Sequence, residues 1–363
     1  MSEAERERPH ASIIKQRARE GLPVLWMAMV ILAVLWWRGL PHESATMPAA
    51  SGAVETPPGR GTWRGVTQTE TADLVAVAFA ADGRRGVAMD SAAHVLETID
   101  GGRSWTLSVG PMLVEDEIPA TILYADAPTG GRLVIGTGVD ASRSTALYER
   151  NGAEWKKIAG EWGGVAGGSA DGTVLVGGGG MIALREPVGR WEFRQLEAAR
   201  EITLYAASRR GEEIIVVGDY GFVGWSFDGG RNWEAERVGE AALYGVAHSS
   251  HGAIVGGAGG LWSMHRGAWN RVTDLEAGTR INALCATHSG VIYAGGETSS
   301  GAPVVLASHD DGRKWRMEAV APSGTQSGLT EVGDHAGGIV AVAGTDTEVI
   351  AATRRGMLLK RSQ

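Results

Sequence analysis

Seven tryptophans recur at near-regular intervals along this chain, and they constrain its fold more than any other feature. Successive members lie 36 to 50 residues apart, and each opens a short strand-like segment. The seven are Trp63, Trp105, Trp155, Trp191, Trp233, Trp269 and Trp315. Before each one after the first, the order is an apolar strand, a turn, a second strand ending in glycine, a third strand and a turn. Four short antiparallel strands per repeat are typical of a β-propeller blade.

The two ends of the chain are each an incomplete repeat. Residues 62–66, "TWRGV", have no three strands before them, whereas "GGIVAVAGTD", "TEVIAATR" and "GMLLKRSQ" supply three strands and then stop. Together they make one blade. The sequence therefore predicts an all-β, seven-bladed β-propeller over residues 62–363, closed by its N-terminal strand so that no sheet edge is left free between the chain ends.

Composition supports many short strands joined by tight turns. The 363 residues include 54 glycines, which supply positive φ in turns, and 13 tryptophans. The single cysteine, Cys285, lies in an apolar run, so no intrachain disulfide can form and no thiolate metal cage can be built. We expect Cys285 to be a buried apolar residue.

The N-terminal region is a segment distinct from the repeats that follow it. Residues 21–40, "GLPVLWMAMVILAVLWWRGL", carry one charge, and twenty helical residues rise about 30 Å, the thickness of a bilayer core. Five basic residues precede this segment and only Arg38 lies at its end. The positive-inside rule therefore predicts a cytoplasmic segment (1–20), a transmembrane signal anchor (21–40) and a flexible linker (41–61), with the propeller on the periplasmic side of the inner membrane. A cleaved signal peptide is the alternative.

Charge separates the two regions. Residues 1–38 carry six Lys and Arg against four Asp and Glu, and the rest of the chain carries 28 against 38, a net charge of −10. Nucleic acid is a poor partner for a region of that charge, because binding to phosphates needs a basic surface. The sequence therefore predicts no nucleic-acid partner.

A turn motif of the type Asp-Gly-Gly-Arg-x-Trp occurs three times. The third copy has an aspartate in place of the first glycine. The first aspartate, the glycine before the arginine and the tryptophan of the three copies are Asp100, Gly102 and Trp105; Asp228, Gly230 and Trp233; and Asp310, Gly312 and Trp315. Each motif is predicted to join the third and fourth strands of a blade, with aspartate capping the turn, glycine taking positive φ and tryptophan packing between sheets. The copies fall in the first, fourth and sixth blades, so we interpret them as structural turns and not as one active site.

The motif Ser/Thr-x-Asp-x-Gly-x-x-Trp resembles the Asp-box, or BNR, repeat of sialidases and sortilin-like receptors. Within that set, "DYGFVGWSFDGGRNW" (219–233) and "DSAAHVLETIDGGRSW" (90–105) resemble the photosystem II stability and assembly factor family. The resemblance covers roughly residues 60–363. It implies a propeller scaffold that binds a protein during assembly of a membrane or envelope complex. No residue of this chain can be matched to the family's binding surface.

Catalytic patterns give no candidate, and we predict no catalytic residue, cofactor or metal site. The sialidase Arg-Ile-Pro signature is missing, and its nearest equivalent, "EIPAT" (117–121), has no arginine. No Gly-x-Ser-x-Gly, Walker, His-Glu-x-x-His or EF-hand motif occurs. His248 and His251 have a metal-like spacing without a third ligand nearby. The prediction is a non-enzymatic scaffold; a glycan-binding or sialidase-like propeller is the alternative.

Charged loop residues suggest two functional faces. Loops that enter a blade and second-to-third-strand turns share one face of a propeller, and we predict an acidic, partner-binding surface there, with Glu115, Asp116, Glu117, Asp219 and Glu297 as candidates. Asp346 is assigned to the same face. A basic surface is predicted on the other face, with Arg84, Arg85, Arg132, Arg209 and Arg210 as candidates, near anionic lipid. The alternative is that the loops are simply charged.

Overall fold

The structure is a computed structural model, and it describes most of the region predicted to form the propeller. The described residues are 61–68, 73–113, 117–125, 132–137, 145–152, 154–162, 164–187, 189–320 and 337–362. Within them, regular structure is almost entirely β-strand. Three short 3-10 turns complete it: Gly178–Gly180, Glu197–Ala199 and Asp219–Gly221.

Six of the seven sheets contain four strands that follow one another in the chain. Blade 1 consists of β2 (Leu74–Phe79), β3 (Gly86–Asp90), β4 (Val95–Thr98) and β5 (Thr106–Ser108). Blade 2 consists of β6 (Pro119–Ala125), β7 (Arg132–Thr137), β8 (Thr145–Asn151) and β9 (Glu154–Trp162). Blade 3 consists of β10 (Val165–Gly168), β11 (Val174–Gly177), β12 (Met181–Arg185) and β13 (Trp191–Gln195). Blade 4 consists of β14 (Leu204–Arg210), β15 (Glu213–Gly218), β16 (Phe222–Ser226) and β17 (Glu234–Arg237). Blade 5 consists of β18 (Leu243–Ser249), β19 (Gly252–Gly257), β20 (Gly260–His265) and β21 (Ala268–Arg271). Blade 6 consists of β22 (Arg280–Ala286), β23 (Ile292–Glu297), β24 (Pro303–Ser308) and β25 (Arg316–Met317).

The seventh sheet is built from both ends of the described chain. Its strands are β27 (Ile339–Gly344), β28 (Val349–Thr353), β29 (Met357–Ser362), β1 (Thr62–Gln68) and β26 (Ala319–Val320). β1 runs antiparallel to β29, with Trp63 opposite Arg361, and it also pairs in parallel with β26. The N-terminal strand is therefore the fourth strand of blade 7.

The first strands of the blades form a closed ring. β2 contacts β6, and the contacts continue through β10, β14, β18, β22 and β27 before returning to β2. Because each first strand touches its counterparts on both sides, these strands surround a central channel. The prediction of an all-β propeller is confirmed.

The predicted membrane segment, residues 21–40, lies outside the described residues, as do the cytoplasmic segment and nearly all of the linker. In the part of the chain that the structure describes, no helix has the length and apolar character needed to cross a bilayer.

Apolar side chains fill the space between neighbouring blades. The middle strands are buried at nearly every position, because both their faces are covered by adjacent blades. Between blades 3 and 4, for example, Ile182 and Leu184 pack with Leu204 and Ile214. Burying each such side chain stabilises the fold by about 1.5–3 kcal/mol. Since every blade shares its core with two neighbours, no blade is expected to be stable alone.

Every first strand carries a β-bulge near its start. The bulges insert one extra residue after the first buried position, and these seven residues are all partly exposed. They are Val75, Ala120, Ala166, Tyr205, Tyr244, Asn282 and Val340. A bulged residue has no cross-strand partner, so this position can vary without breaking the sheet.

The same bulge explains why several second strands end in glycine. A Cβ on Gly257 would lie 2.0 Å from the carbonyl oxygen of Ala242, and one on Gly296 would lie 1.9 Å from that of Arg280. The carbonyl that precedes the bulge lies directly against the second strand, and only glycine leaves room for it.

Candidate functional site

Strand direction divides the propeller into two faces. Loops that enter the blades and second-to-third-strand turns lie on one side, which we call the mouth face. First-to-second and third-to-fourth turns lie on the other side, the base face. β1 is a fourth strand, and fourth strands run from the base face to the mouth face, so the chain before Thr62 leaves the propeller from the base face.

The predicted acidic candidates are only partly described. Glu115 and Asp116 lie outside the described residues, whereas Glu117, Asp219 and Glu297 lie on the mouth face. Glu117 accepts hydrogen bonds from the Tyr148 hydroxyl at 2.6 Å and from the Lys157 ammonium at 2.9 Å. These contacts hold the Glu117 carboxylate within the fold.

Glu297 also has an internal partner, because Arg354 lies 3.4 Å from its carboxylate. Arg354 belongs to the second-to-third turn of blade 7, so the mouth face carries basic as well as acidic groups.

The predicted basic candidates lie at the base face. Arg85 pairs with Asp82 at 2.6 Å, and Arg210 pairs with Glu213 at 2.8 Å. Arg209 donates from Nε to the carbonyl oxygen of Gly211 at 2.9 Å, and Arg84 is exposed. The backbone of Arg132 begins β7, and the structure does not describe its side chain.

The placement of Asp346 at the mouth face is wrong. Asp346 lies between β27 and β28, a first-to-second turn, and so belongs to the base face, where it accepts a hydrogen bond from the Ser289 amide at 2.6 Å. The strand that ends just before Asp346 is β27, the first strand of blade 7. Asp82 and Asp228 are further base-face carboxylates, so each face carries both signs of charge.

The three Asp-Gly turns lie between the third and fourth strands of blades 1, 4 and 6. In blade 4, Asp228 Oδ1 accepts hydrogen bonds from the Arg231 and Asn232 amides, both at 2.9 Å. Gly230 has a φ of 84° and donates its amide to Ser226 Oγ at 2.8 Å. Trp233 packs in the core cluster between blades 3 and 4. Asp100 and Asp310 make equivalent contacts in their own blades, with Gly102 and Gly312 at positive φ.

Trp105 and Trp315 also pack against the neighbouring blade that precedes their own, in the clusters between blades 7 and 1 and between blades 5 and 6. The structure therefore separates the three turns around the ring, each attached to its own inter-blade core.

These turns predict an acid-dependent loss of stability. Hydrogen bonds from Asn232, with smaller ones from Ser226 and Arg231, lower the pKa of Asp228 to about 2. An aspartate in an unfolded chain titrates at about pH 3.9. The ionised carboxylate therefore stabilises the fold above about pH 4, and this contribution is lost as the pH falls towards about 2. We expect the difference in unfolding free energy between wild type and Asp228→Asn to shrink over that range, measured by urea unfolding. Asp274→Asn, at an exposed loop residue, is the control; a difference that is constant with pH would contradict the prediction.

The channel opening on the mouth face is apolar on one side and polar on the other. Four bulge residues there are small and apolar, whereas blades 4, 5 and 6 contribute Tyr205, Tyr244 and Asn282. The polar side therefore occupies three adjacent blades. We call Tyr205, Asp219, Tyr244, Arg280 and Asn282 the mouth cluster.

The mouth cluster is connected from blade to blade. The Tyr205 hydroxyl donates to Asp219 Oδ1 at 3.0 Å, and the Tyr205 and Tyr244 rings meet edge to face with centroids 5.2 Å apart. The guanidinium carbon of Arg280 lies 4.3 Å from the centre of the Tyr244 ring, a cation–π contact. Asn282 donates to the Ile339 carbonyl oxygen at 2.8 Å, which ties blade 6 to blade 7.

Two features of the mouth cluster bear on binding. Burial and the neighbouring Asp219 carboxylate raise the pKa of Tyr205 to about 12, so its hydroxyl remains a donor throughout the physiological range. The Nε atom of Arg280 is buried without a hydrogen-bond partner among the described residues. Because Nε is buried, a ligand at this opening would meet the terminal nitrogens of the guanidinium and not Nε.

Sequence analysis missed this cluster, apart from Asp219. The residues come from three blades, and Tyr205, Tyr244 and Asn282 meet only because each follows the first buried residue of a first strand. Aligning the seven first strands on that buried position would have placed Tyr205, Tyr244 and Asn282 in register.

The mouth face also carries an exposed apolar segment. Val109, Met112 and Ile118 lie in the loop from blade 1 to blade 2, with 79%, 93% and 54% of their surface accessible. Several large apolar side chains exposed in one loop are typical of a surface that contacts another protein.

Cys285 is the single thiol of the chain. Cys285 is buried, and burial raises the pKa of its thiol to about 11, so it stays protonated at neutral pH. Among the described residues there is no group of three or more His, Cys, Asp or Glu side chains placed to hold a metal ion.

Comparison with known proteins shows the fold and no more. No family model matches the chain, and no curated protein sequence matches it. YCF48 from Cyanidioschyzon merolae has a similar structure, with a TM-score of 0.56 and 16% identity over 82% of this chain and 98% of that chain. The RRP9 WD40 repeats give 0.58 and 11%, over 82% and 96%. Virginiamycin B lyase from Staphylococcus aureus gives 0.60 and 9%, over 83% and 99%. One of these structures is of an enzyme, so the fold leaves activity open.

Proposed function

We propose that this protein is a membrane-anchored propeller scaffold that binds a protein partner through its mouth face. The mouth cluster carries this proposal. Tyrosine and arginine are the residue types that contribute most to protein–protein binding, and here they meet at the centre of one face. The cation–π contact holds Arg280 against Tyr244 at this opening, so a partner would meet the two side chains as one preformed surface.

The exposed apolar segment supports a macromolecular partner. Val109, Met112 and Ile118 lie in a loop of the same face as the mouth cluster. A small molecule at the channel opening would leave them exposed, whereas a protein that covers the face would bury them. The net charge of −10 outside residues 1–38 favours a protein with a basic surface over nucleic acid.

Membrane attachment is part of the proposal and depends on the sequence. Residues 21–40 have the length and composition of a signal anchor, and the positive-inside rule directs the propeller to the periplasmic side. The partner of the mouth face would be a subunit of an envelope complex, in line with the resemblance to photosystem II assembly factors.

Crosslinking in native membranes followed by affinity purification tests this proposal. We expect the full chain to stay in the membrane fraction after a high-salt wash and to carry a specific protein. Tyr244→Ala combined with Arg280→Gln should reduce the recovered partner by about tenfold or more, since truncating a binding hot spot costs about 2 kcal/mol.

A matched control is available on the outer strand of blade 5. Arg271 also lies over an aromatic ring, with its guanidinium carbon 5.8 Å from the centre of Trp262, but it is remote from the channel. Arg271→Gln should leave recovery unchanged. Equal recovery with both variants, or a full chain that captures only free glycans, would contradict the proposal.

A further inference from the structure

A cavity of about 510 Å³ opens on the base face where blades 5 and 6 meet. Its lining comes from two turns of blade 5, from β21 and from the Asp-Gly turn of blade 6. The lining residues are His251, His265, Arg266, Ala268, Asn270 and Arg313. Small-molecule sites in proteins have volumes of roughly 300–1,000 Å³, so the cavity has the size of a ligand site.

The groups that line this cavity are basic and carry no carboxylate. Arg266 and Arg313 each contribute a full positive charge, and two imidazole rings lie between them, His251 and His265, with centroids 4.9 Å apart. Arg266 has no hydrogen bond or ion pair with any described residue. The Asp311 carboxylate accepts hydrogen bonds from the Ser250 amide at 2.8 Å and from His251 Nδ1 at 2.5 Å.

The backbone at Arg266 is unusual. Arg266 and Gly267 form the two-residue turn between β20 and β21, with φ values of 51° and 75°. Turns with positive φ at both central residues favour Asn, Asp or Gly at the first position, because a larger side chain is strained there. An arginine at this position therefore sacrifices stability, and the strained residue directs its guanidinium into the cavity.

A second strained residue lies beside the same cavity. Asp311 has a φ of 62° and replaces the first glycine found in the other two Asp-Gly turns. Its carboxylate holds His251, and His251 Nε2 accepts a hydrogen bond from Arg313 Nη2 at 3.2 Å. Strained residues that persist in a fold are concentrated at functional sites.

Arg313 also differs from its counterpart in blade 4. Arg231 occupies the same turn position and donates from Nη1 to the carbonyl oxygen of its own Asp228 at 3.3 Å. Arg313 instead turns towards His251 and lines the cavity. The chain of contacts from Asp311 through His251 positions the Arg313 guanidinium at the cavity through Nη2 alone.

We propose that this cavity binds the phosphate group of a phosphate monoester. Two guanidinium groups match a dianion in charge and can bind its oxygens in a bidentate manner, and the His265 imidazole can add a further hydrogen bond. The ligand is either a soluble phosphate monoester or a lipid headgroup with a terminal phosphate. This site is separate from the mouth face, so the proposal does not depend on the proposed partner.

Calorimetry with the full-length protein in a non-ionic detergent tests the site, using inorganic phosphate and glycerol phosphate as probes. We expect saturable binding that Arg266→Gln and Arg313→Gln each weaken at least tenfold, whereas Arg231→Gln leaves it unchanged. Absence of saturable binding to the wild type, or equal weakening by Arg231→Gln, would overturn the proposal.

Arg266→Gly gives a second readout that a merely structural arginine would not produce. Glycine relieves the positive φ, so the midpoint of thermal unfolding should rise by about 2 °C while phosphate binding weakens at least tenfold. A variant that binds phosphate as tightly as wild type would count against the site.

Vesicles distinguish the two sources of the phosphate group. If phosphatidylcholine vesicles containing phosphatidic acid displace glycerol phosphate from the wild type, and vesicles without it do not, the site accepts a lipid headgroup. If neither displaces it, the ligand is soluble; both results support the phosphate site.

Discussion

Replacing Glu318 by glutamine should lower the free energy of unfolding by about 3 kcal/mol, because it leaves a buried arginine without its counter-charge. Glu318 is 5% exposed and precedes β26. Its Oε2 accepts a hydrogen bond from Trp63 Nε1 at 2.8 Å, and its Oε1 accepts one from Arg361 Nη2 at 2.7 Å. One carboxylate thus connects the first described strand, the last one and the segment between blades 6 and 7.

The surroundings of this triad strengthen the expectation. The guanidinium carbon of Arg361 lies 5.5 Å from the centre of the Tyr293 ring, and Trp63 meets the same ring edge to face at 6.1 Å. The hydrogen bonds that Arg361 donates to Glu318 raise the pKa of Arg361, although burial acts against this. A guanidinium is not deprotonated in proteins, so Arg361 stays charged in the variant. Urea unfolding at neutral pH measures the effect.

Glu197→Gln is the matched control. Glu197 pairs with Arg200 at 3.5 Å, and both side chains are largely exposed, so its loss should change stability by less than about 1 kcal/mol. Combining Glu318→Gln with Arg361→Met should destabilise less than the sum of the single changes, because the pair is removed together. Equal effects of Glu318→Gln and Glu197→Gln would show that the triad does not hold the ring closed.

The sequence predicts the blades well because the determinants of a blade are local. A tryptophan after a tight turn and a glycine at the end of a second strand are chemical requirements of one repeat. A Cβ on Gly257 would lie 2.0 Å from the Ala242 carbonyl oxygen, so the glycine at the end of the second strand is required there. The closing of the ring by the N-terminal strand is also predictable from the sequence, because residues 62–66 form a fourth strand with no three strands before it.

The candidate sites were harder to predict because their residues come from different blades. The mouth cluster depends on a bulge that shifts Tyr205 and Tyr244 into the opening, and a bulge leaves no periodic mark in the sequence. The basic cavity depends on where the Arg313 side chain turns, and the equivalent Arg231 of the blade 4 turn is oriented differently. In both cases, contacts between blades decide what the repeat alone leaves open.

Removing residues 1–68 should abolish cooperative folding, whereas removing residues 1–57 should not. Residues 58–363 form one compact unit, and the longer deletion removes β1 from it. Trp63 is fully buried in a core cluster with Tyr293, Val305 and Leu359. Loss of a buried tryptophan alone costs about 3–5 kcal/mol.

The deletion has two further consequences. It exposes the edge of β29, which otherwise pairs with β1, and it removes one hydrogen bond from the buried Glu318 carboxylate. An exposed strand edge promotes association with other chains. The combined loss approaches the total stability of a typical domain, about 5–15 kcal/mol, so we expect an aggregated or unfolded product.

Size-exclusion chromatography and urea unfolding of the two deletion variants measure this outcome. Adding a peptide of residues 58–68 to the longer deletion should restore a cooperative transition, and the same peptide with Trp63→Ala should not. A 69–363 fragment that unfolds cooperatively at the same urea concentration as the 58–363 fragment would show that the seventh blade is stable without its N-terminal strand. The ring would then owe its closure to the cores between blades 6 and 7 and between blades 7 and 1, and not to the pairing of the chain ends.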